Sequence, residues 1–225
     1  MSSEHVVALV VTWNRRDLLA ESLRALQGQT RAPDEILVVD NASDDGTDAL
    51  LARDFPGVQV IRHEVNTGGA GGFAAGLTRA LEGRCDAVWL MDDDTVPEPE
   101  ALEALLQTRT GYAGDRPRSA PPALVASRVV WTDGRDHPMN TTRPKAWASR
   151  REREAAAAVG ARPVRTASFV SILVDAERAR QVGLPVTEFF LWNDDFEYTS
   201  RLLRGRRGLW TPRSVVVHKT AAFAG

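Results

Sequence analysis

The chain has 225 residues, of which 43% are apolar and 26% are charged, so it can bury a full hydrophobic core and we expect one globular domain. Its net charge of -2 gives no global reason to expect nucleic acid as a partner. Cys85 is the one cysteine, which excludes an internal disulfide and fits a reducing compartment.

Strands and helices alternate through the first half of the chain. Continuous apolar runs predict strands buried on both faces. These runs lie at 6–11, 35–40, 58–63 and 87–91. Helices are predicted over 16–27, 47–53 and 73–81. The alternation predicts an α/β fold whose mostly parallel, Rossmann-like sheet carries helices on both faces. The run at 6–11 is too short for a secretory signal or a membrane span, so a cytoplasmic location is expected.

The second half of the chain is less regular. Strands are predicted at 123–131, 166–174 and 214–218, and short helices at 175–182 and 194–203. A loop insertion with a short helix is predicted near 132–163, and its charged run is more typical of a solvated face than of a binding surface.

Unusual residues follow the predicted strands of the first half. Thr12 to Arg15 follow the first strand, Asp40 ends the second, the glycine-rich run 66–72 follows the third, and Asp92 to Asp94 follow the fourth. In open parallel sheets, ligands bind beyond the carboxyl ends of the strands. The sequence therefore predicts that these residues face one cleft.

The acidic triplet Asp92, Asp93 and Asp94 has no basic neighbour in the sequence. Alternate residues of an extended segment share a face, so Asp92 and Asp94 are expected to converge while Asp93 points elsewhere. Convergent carboxylates suit a hard divalent cation held together with a diphosphate. The interpretation without a ligand is a turn that caps the following helix.

The run NTGGAGGFAAG at 66–76 permits two interpretations. A glycine-rich turn at a helix N-terminus lets backbone N–H groups approach a phosphate, but it also forms without any ligand. The dinucleotide-binding fingerprint follows the first strand of its unit, where this chain has TWNRR, so a nicotinamide cofactor is not expected.

A second acidic cluster lies in FFLWNDDFEYTSRL at 189–202. Asp194 and Asp195 begin a predicted helix, where the helix dipole favours acidic residues for structural reasons alone. A carboxylate at a cleft edge also serves as a general base, and Trp192 offers a flat face on which a sugar or base stacks. Both interpretations stay open from the residues.

These motifs together resemble one family. TWNRR, VVDNASDDGT, NTGGAGGF, WLMDDDT, WNDDFEY and the terminal VVVHK are similar to those of inverting family 2 glycosyltransferases of the GT-A fold, in the galactofuranosyl- and rhamnosyltransferase-like branch. The resemblance runs from Val6 to His218. It implies a nucleotide-diphosphate sugar donor, such as UDP-galactofuranose or dTDP-rhamnose, and a Mg²⁺ or Mn²⁺ cofactor.

The resemblance also divides the domain into a nucleotide-sugar-binding half, 1–110, and an acceptor and catalytic half, 111–225, and it assigns roles to residues. It places the nucleoside and diphosphate against Thr12, Trp13, Asn14, Arg15, Asp40, Asn66, Gly68, Gly69, Asp92, Asp93 and Asp94. It makes Asp92, Asp94 and His218 the metal ligands, although His218 alone would pass for an ordinary histidine at a sheet end. Asp195, or failing that Asp194, becomes the base, and Trp192 and Asn193 lie on the acceptor side. Asn193 departs from the family pattern, which has an acidic residue or tryptophan directly before the aspartate pair.

Two other functions stay open. A sugar-1-phosphate nucleotidyltransferase would share the sheet and the paired aspartates, but usually carries a glycine-rich loop after the first strand. A catalytically silent nucleotide-sugar-binding protein is the other alternative. The acceptor hydroxyl is open among a cell-wall glycan, a lipid carrier and a small natural product. Peripheral membrane association, homo-oligomerisation and truncation at the C-terminus are also left open.

Overall fold

A computed structural model of the chain describes residues 4–114, 120–140 and 142–223. Its strands are β1 (Val6–Thr12), β2 (Glu35–Asp40), β3 (Gln59–Arg62), β4 (Ala87–Asp92), β5 (Thr95–Pro97), β6 (Leu124–Val130), β7 (Arg143–Pro144), β8 (Arg162–Thr166), β9 (Ile172–Asp175) and β10 (Gly208–His218). Its helices are α1 (Arg16–Gln27), α2 (Thr47–Asp54), α3 (Gly68–Glu82), α4 (Ala101–Gly111), α5 (Arg150–Ala158), α6 (Ala176–Val182) and α7 (Asp194–Leu202), with 3₁₀ turns at Pro138–Asn140 and Thr187–Phe189.

The strands form one mixed sheet in the order β3-β2-β1-β4-β9-β6-β10-β8-β7, and β5 pairs with β10. The first four strands of the chain are parallel, as predicted: β1 pairs with β2 and β4, and β2 pairs with β3. β9 is antiparallel to both β4 and β6, and β10 is parallel to β6. Consequently β1, β2, β4, β6 and β10 all run in the same direction and end at the same edge of the sheet.

The core lies in two layers, one on each face of the sheet. Val6, Ala8 and Val10 of β1 pack with α1 and α4 on one face. Val7 and Leu9 point the other way and pack with α3, α6 and α7. Since helices cover both faces, every residue of β1 is buried and its sequence reads as a continuous apolar run.

The sequence-based prediction for the glycine-rich segment was wrong in its boundaries. Helix α3 begins at Gly68 and not near Phe73, so most of the expected turn is helical. A Cβ at Gly72 would lie 2.4 Å from Val11 Cγ1, and one at Gly76 would lie 2.3 Å from Leu9 Cδ1. These two glycines therefore let the helix axis approach β1 more closely than any other residue would allow.

Two predictions for the second half also need correction. The single strand expected at 166–174 is two strands, β8 and β9, joined by a turn, because Phe169 leaves the strand direction and packs 4.6 Å from Phe73 and 5.9 Å from Tyr198, measured between ring centroids. The expected strand 214–218 is the end of the longer β10.

The described part of the insertion near 132–163 contains the predicted short helix and further regular structure. It holds the 3₁₀ turn Pro138–Asn140, strand β7 and helix α5. Ser149 caps α5 by accepting a hydrogen bond from the backbone N–H of Glu152, and the buried Glu152 carboxylate lies 2.8 Å from Lys145 Nζ. Arg150, by contrast, is exposed and pairs with Glu154 of the same helix, which fits the predicted solvated face.

Strand β10 is interrupted in the middle. Trp210 pairs with Ala126 of β6 and Val215 pairs with Arg128, so four residues of β10, 211–214, stand opposite Ser127 alone. Pro212 has no N–H to give to the ladder, which fits a bulge of this kind. Beyond the bulge, β10 lies between β6 and β5 and ends at His218.

Among the described residues, no helix combines the length and the apolar character that crossing a bilayer requires.

Candidate active site

The polar ends of four parallel strands come together at one edge of the sheet. Thr12 ends β1, Asp40 ends β2, Asp92 ends β4 and His218 ends β10. The sequence predicted this convergence for the first three from the order of the strands. The structure adds the end of β10 to the same edge.

Short strand β5 brings His218 to the acidic triplet. β5 follows the triplet directly and pairs antiparallel with β10, with Thr95 opposite His218. The backbone N–H of Lys219 donates a 2.8 Å hydrogen bond to the carbonyl oxygen of Asp94. His218 Nε2 consequently lies 3.0 Å from Asp94 Oδ1.

Asp92, Asp94 and His218 can supply ligand atoms to one ion. One ligand atom from each lies within 4.8 Å of the other two. Asp94 Oδ1 is buried and accepts no hydrogen bond, although His218 Nε2 is close to it. A buried carboxylate oxygen without a donor is costly to leave unpaired, and a cation satisfies it. Two carboxylates and an imidazole are a donor set that suits Mg²⁺ or Mn²⁺.

Asp93 points away from this group, as alternation along the chain predicted. Its Oδ2 accepts a 2.7 Å hydrogen bond from Thr12 Oγ1 and a 3.3 Å bond from the backbone N–H of Trp13. Both partners belong to the segment that leaves β1. Asp93 therefore ties the exit of β1 to the exit of β4.

The sequence-based expectation that the triplet lacks a basic partner was incomplete. Arg15 Nη1 contacts Asp94 Oδ2 and lies 3.3 Å from Asp93 Oδ1. His218 is a second partner, on the opposite side of Asp94. Both come from segments distant in sequence, so the chain itself compensates part of the negative charge. The Arg15 side chain stays 51% exposed, so part of it faces solvent beside the carboxylates.

The pKa values reflect this mixture of burial and pairing. Burial, followed by the neighbouring Asp94 charge, raises the pKa of Asp92. Burial raises the pKa of Asp93 to about 6 although Arg15 acts against it. Burial also disfavours the charged form of Asp94, but His218 and Arg15 outweigh it and hold the pKa of Asp94 below its usual value. For His218, burial alone would lower the pKa, and the contact with Asp94 raises it.

The Asp40 side chain organises the loop after β2. Its Oδ1 accepts a 2.9 Å hydrogen bond from the backbone N–H of Ser43, and its Oδ2 lies 3.2 Å from Arg62 Nη1. The carboxylate is 1% exposed, so in this conformation it presents little surface to a ligand. Its predicted contact with the nucleoside is not tested by this arrangement.

Asn41, the next residue, joins β2 to the start of α3. Its Nδ2 donates a 2.8 Å hydrogen bond to the carbonyl oxygen of Gly68, and its Oδ1 accepts from the backbone N–H of Thr67 at 3.2 Å. Asn66 Oδ1 in turn accepts a 2.8 Å bond from the N–H of Gly68. The sequence analysis placed Asn66 and Gly68 here but missed Asn41, which its position at a strand exit could have indicated.

Trp13 and Asn14 occupy the rim. Trp13 is 52% exposed, so its ring is available to a flat ligand. Asn14 has a φ of 53°, and its side chain accepts a 2.8 Å hydrogen bond from the backbone N–H of Asp44. These contacts hold the segment after β1 against the loop after β2.

The aspartate pair lies at the N-terminus of α7, beside the start of α3. A Cβ built on Gly69 would lie 3.8 Å from Asp194 Oδ2, so the Asp194 carboxylate reaches the glycine-rich helix start. Asp194 is buried at 7% exposure, whereas Asp195 is half-buried. Burial raises the pKa of both carboxyl groups, and Arg143 opposes this for Asp195. A raised pKa suits a residue that takes up a proton.

The segment before α7 carries unusual backbone geometry. Phe190, Trp192 and Asn193 have positive φ values of 57°, 72° and 65°. In the part of the chain that the structure describes, the other non-glycine residues with positive φ are Asn14 and Ala42, both at strand exits of the same edge. Such conformations cost free energy and cluster at functional sites.

The same segment presents apolar side chains to solvent. Phe190, Leu191 and Trp192 are between 51% and 65% exposed. The position of Trp192 agrees with its predicted availability for stacking, and its role on the acceptor side stays a prediction.

Residues 7–111 match the sequence model of the family described as "Glycosyl transferase family 2". A galactofuranosyltransferase named GlfT1 from Mycobacterium tuberculosis is 33% identical over 207 residues, which is 90% of this chain. GlfT1 of Mycolicibacterium smegmatis is 43% identical over 105 residues, or 46% of this chain. The chain belongs to glycosyl transferase family 2. It spans 66% of the length of the first relative, and the matched part is 35% of the second.

The fold agrees with this family. The crystal structure of GalNAc-T7 with UDP, GalNAc and Mn²⁺ superposes with a TM-score of 0.72 at 15% identity, over 96% of this chain and 43% of that one. At this identity the likeness shows the fold alone, which is the GT-A fold that the motif order predicted. As a member of family 2, the chain is classed as a glycosyltransferase.

Proposed function

We propose that this glycosyltransferase is metal-dependent and inverting, and that it moves a sugar from a nucleotide-diphosphate donor to a hydroxyl acceptor. One observation carries the proposal: Asp92, Asp94 and His218 converge at the sheet edge where the donor is expected. The convergence brings together two segments far apart in sequence, the triplet after β4 and the end of β10, which a simple helix-capping turn would not require.

The donor is assigned to the first half of the chain, 1–110. Thr12, Trp13, Asn14, Arg15 and Asp40 would hold the nucleoside, and Asn66, Gly68, Gly69, Asp92, Asp93 and Asp94 would line the diphosphate and sugar. The names of the two relatives favour galactofuranose as the transferred sugar, and the motif resemblance implies UDP-galactofuranose or dTDP-rhamnose as the donor. The exposed half of the Arg15 side chain supports a role near anionic ligand groups.

The cation is assigned to Asp92, Asp94 and His218, as Mg²⁺ or Mn²⁺. When bound, it would act as a Lewis acid that stabilises negative charge on the departing diphosphate. The chain contributes two carboxylates and one imidazole to it, and Arg15 adds a positive charge at the same place. GalNAc-T7, which shares the fold, was crystallised with UDP and Mn²⁺, as its description states.

Asp195 is assigned as the base, with Asp194 as the alternative. Residue Asp195 is half-buried, whereas Asp194 is buried, and this favours Asp195 as the residue that an incoming hydroxyl reaches. The acceptor oxygen forms a bond to the anomeric carbon on the face opposite the diphosphate, and its proton passes to Asp195. The bond between the anomeric carbon and the diphosphate oxygen breaks with its electron pair, which inverts the anomeric configuration.

The acceptor is assigned to the second half, 111–225, with Trp192 and Asn193 at its edge. A cell-wall glycan, a lipid-linked sugar and a small natural product all present the required hydroxyl. We assign the protein to the cytoplasm, because Cys85 is buried and reduced in this fold. Association with the inner face of a membrane and homo-oligomerisation are both compatible with this assignment.

A donor screen tests the proposal. Purified protein is incubated with UDP-galactofuranose, dTDP-rhamnose and other nucleotide sugars, a glycan acceptor and Mn²⁺, and release of nucleotide diphosphate is measured. Asp94→Asn should abolish cation-dependent release, because it removes a ligand oxygen. Asp17→Asn is the matched control, since that carboxylate lies on α1 and is 85% exposed.

Each other outcome identifies an alternative. Pyrophosphate release from a nucleoside triphosphate and a sugar phosphate would indicate a nucleotidyltransferase. Cation-dependent thermal stabilisation by a nucleotide diphosphate without turnover would indicate a silent binding protein. Stabilisation that is the same with Mn²⁺ and with chelator would overturn the metal assignment.

A further inference from the structure

We propose that Asn140 is a positioning residue for the cation site: it holds the His218 ring so that Nε2, and not Nδ1, faces Asp92 and Asp94. This inference depends on the proposed metal site but adds a residue from the insertion near 132–163. Nothing in the sequence pattern singled out Asn140, which lies 78 positions before His218.

The contact between the two side chains is short and directional. His218 Nδ1 lies 2.7 Å from Asn140 Oδ1. Asn140 Nδ2 donates a 3.2 Å hydrogen bond to Ser168 Oγ, and this leaves the amide oxygen turned toward the histidine. Because an amide oxygen only accepts, Nδ1 must carry the hydrogen. In the neutral ring that a bound cation would require, the lone pair is then on Nε2, the atom that lies 3.0 Å from Asp94 Oδ1.

The backbone around Asn140 holds it in place. The turn Pro138–Asn140 is tied to β6 by a 2.9 Å hydrogen bond from the N–H of His137 to the carbonyl oxygen of Val129. The His137 ring packs against the His218 ring with centroids 4.9 Å apart, and its Nε2 lies 2.9 Å from Thr220 Oγ1. His218 is therefore fixed by Asn140 at one ring nitrogen and by His137 on its face.

This arrangement matters for a metal ligand. A histidine ligand needs its other ring nitrogen paired, because that pairing sets the tautomer, the ring orientation and the basicity of the ligating atom. Without Asn140, the buried Nδ1 loses its acceptor, and the ring gains freedom to turn or to carry its proton on Nε2. Loss of such a partner typically weakens metal affinity by about 10–100-fold.

The experiment measures Mn²⁺ affinity in the absence of any sugar, by electron paramagnetic resonance of free Mn²⁺ during titration. Asn140→Ala should weaken binding by about 10–100-fold. Asn140→Asp keeps an acceptor oxygen at the same place, so it should bind Mn²⁺ at least as tightly as the unchanged protein. Met139→Ala is the matched control, because this neighbouring side chain is 42% exposed and should leave the affinity unchanged.

The results separate the inference from the function on which it depends. If the unchanged protein fails to bind Mn²⁺ in a manner sensitive to Asp94→Asn, the metal site itself is wrong. If it binds and folded Asn140→Ala binds equally well, only the positioning role is wrong. The role is also wrong if Asn140→Asp is as weak as Asn140→Ala, since the acceptor oxygen would then be irrelevant.

Discussion

Replacing Gly68 by alanine tests how the glycine-rich helix start is packed against the segment that carries the aspartate pair. Gly68 has a φ of +72°, and a Cβ there would lie 2.1 Å from the carbonyl oxygen of Phe190. That oxygen also accepts a 3.1 Å hydrogen bond from the N–H of Ala70, so it cannot move freely. The substitution therefore combines backbone strain with a steric clash against another backbone.

The expected cost follows from these two effects. A left-handed conformation costs a residue other than glycine roughly 1–2 kcal/mol, and forcing extra volume into a packed site costs roughly 1–3 kcal/mol. Together they predict that Gly68→Ala lowers the free energy of unfolding by about 2–5 kcal/mol, or about 4–20 °C in Tm for a chain of this size. Urea unfolding followed by circular dichroism measures the first quantity, and a thermal scan measures the second.

The adjacent glycine provides the control. A Cβ at Gly69 would meet Leu191 Cδ1 at 3.7 Å, which is ordinary contact, and φ there is not positive. Alanine inside a helix is more stable than glycine by roughly 0.5–1 kcal/mol, so Gly69→Ala should raise stability or leave it unchanged. The packing described for Phe190 is refuted if Gly68→Ala unfolds at the same urea concentration as the unchanged protein, or if both variants lose stability equally.

Three further predictions concern charged groups. Asp195→Asn should lower kcat by about 100-fold or more, while the donor-induced shift in Tm persists. Because burial raises the pKa of Asp195, the rate of the unchanged protein should fall as the pH drops through a value above the ordinary carboxyl range. A fully active Asp195→Asn variant would contradict this assignment. Arg109→Met should cost up to about 3–5 kcal/mol in urea unfolding, because it removes the cation 2.8 Å from the buried Asp175 carboxylate and leaves the longer, 3.8 Å contact with Arg206 Nη2. The exposed Arg150→Met should change stability by less than about 0.5 kcal/mol. Asp93 has a folded pKa of about 6, above its unfolded value near 3.9, so its contribution to stability is present below about pH 4 and is lost as the pH rises through 6. The Tm of Asp93→Asn should therefore rise relative to that of the unchanged metal-free protein between pH 4.5 and 7.5. A difference in Tm that stays constant over this range would show that the pKa shift is absent.

Local patterns were sufficient to predict the first half of the fold. Strand β1 could be predicted because helices on both faces leave no polar positions in it, and α1 because its leucines recur at helical spacing. The start of α3 could not, because glycine has a low helix propensity, and the reason for the glycines at 72 and 76 is contact with a strand some sixty residues earlier in the chain.

The site could be predicted only where its residues follow strands. Asp92 and Asp94 end a strand whose position was evident, and alternation along an extended chain gave their common direction. Arg15 as a counter-charge and Asn140 beside His218 depend on contacts 79 and 78 positions apart, for which one sequence offers no local signal. The break in the strand predicted at 166–174 was missed for the same reason. Phe169 leaves the strand there and packs against Phe73 and Tyr198, which its own neighbourhood in the sequence does not reveal.

The interruption in β10 bears on which parts of this enzyme can change during evolution. Residues 208–210 pair with β8, which leads back to α5 and the inserted segment, whereas Val216 to His218 pair with β5 beside the triplet. Residues 211–214, which stand opposite Ser127, can change in length and direction without moving the end of β10 that carries His218. Insertions or deletions around α5 can thus reshape part of the half that we assign to the acceptor, while the histidine keeps its place.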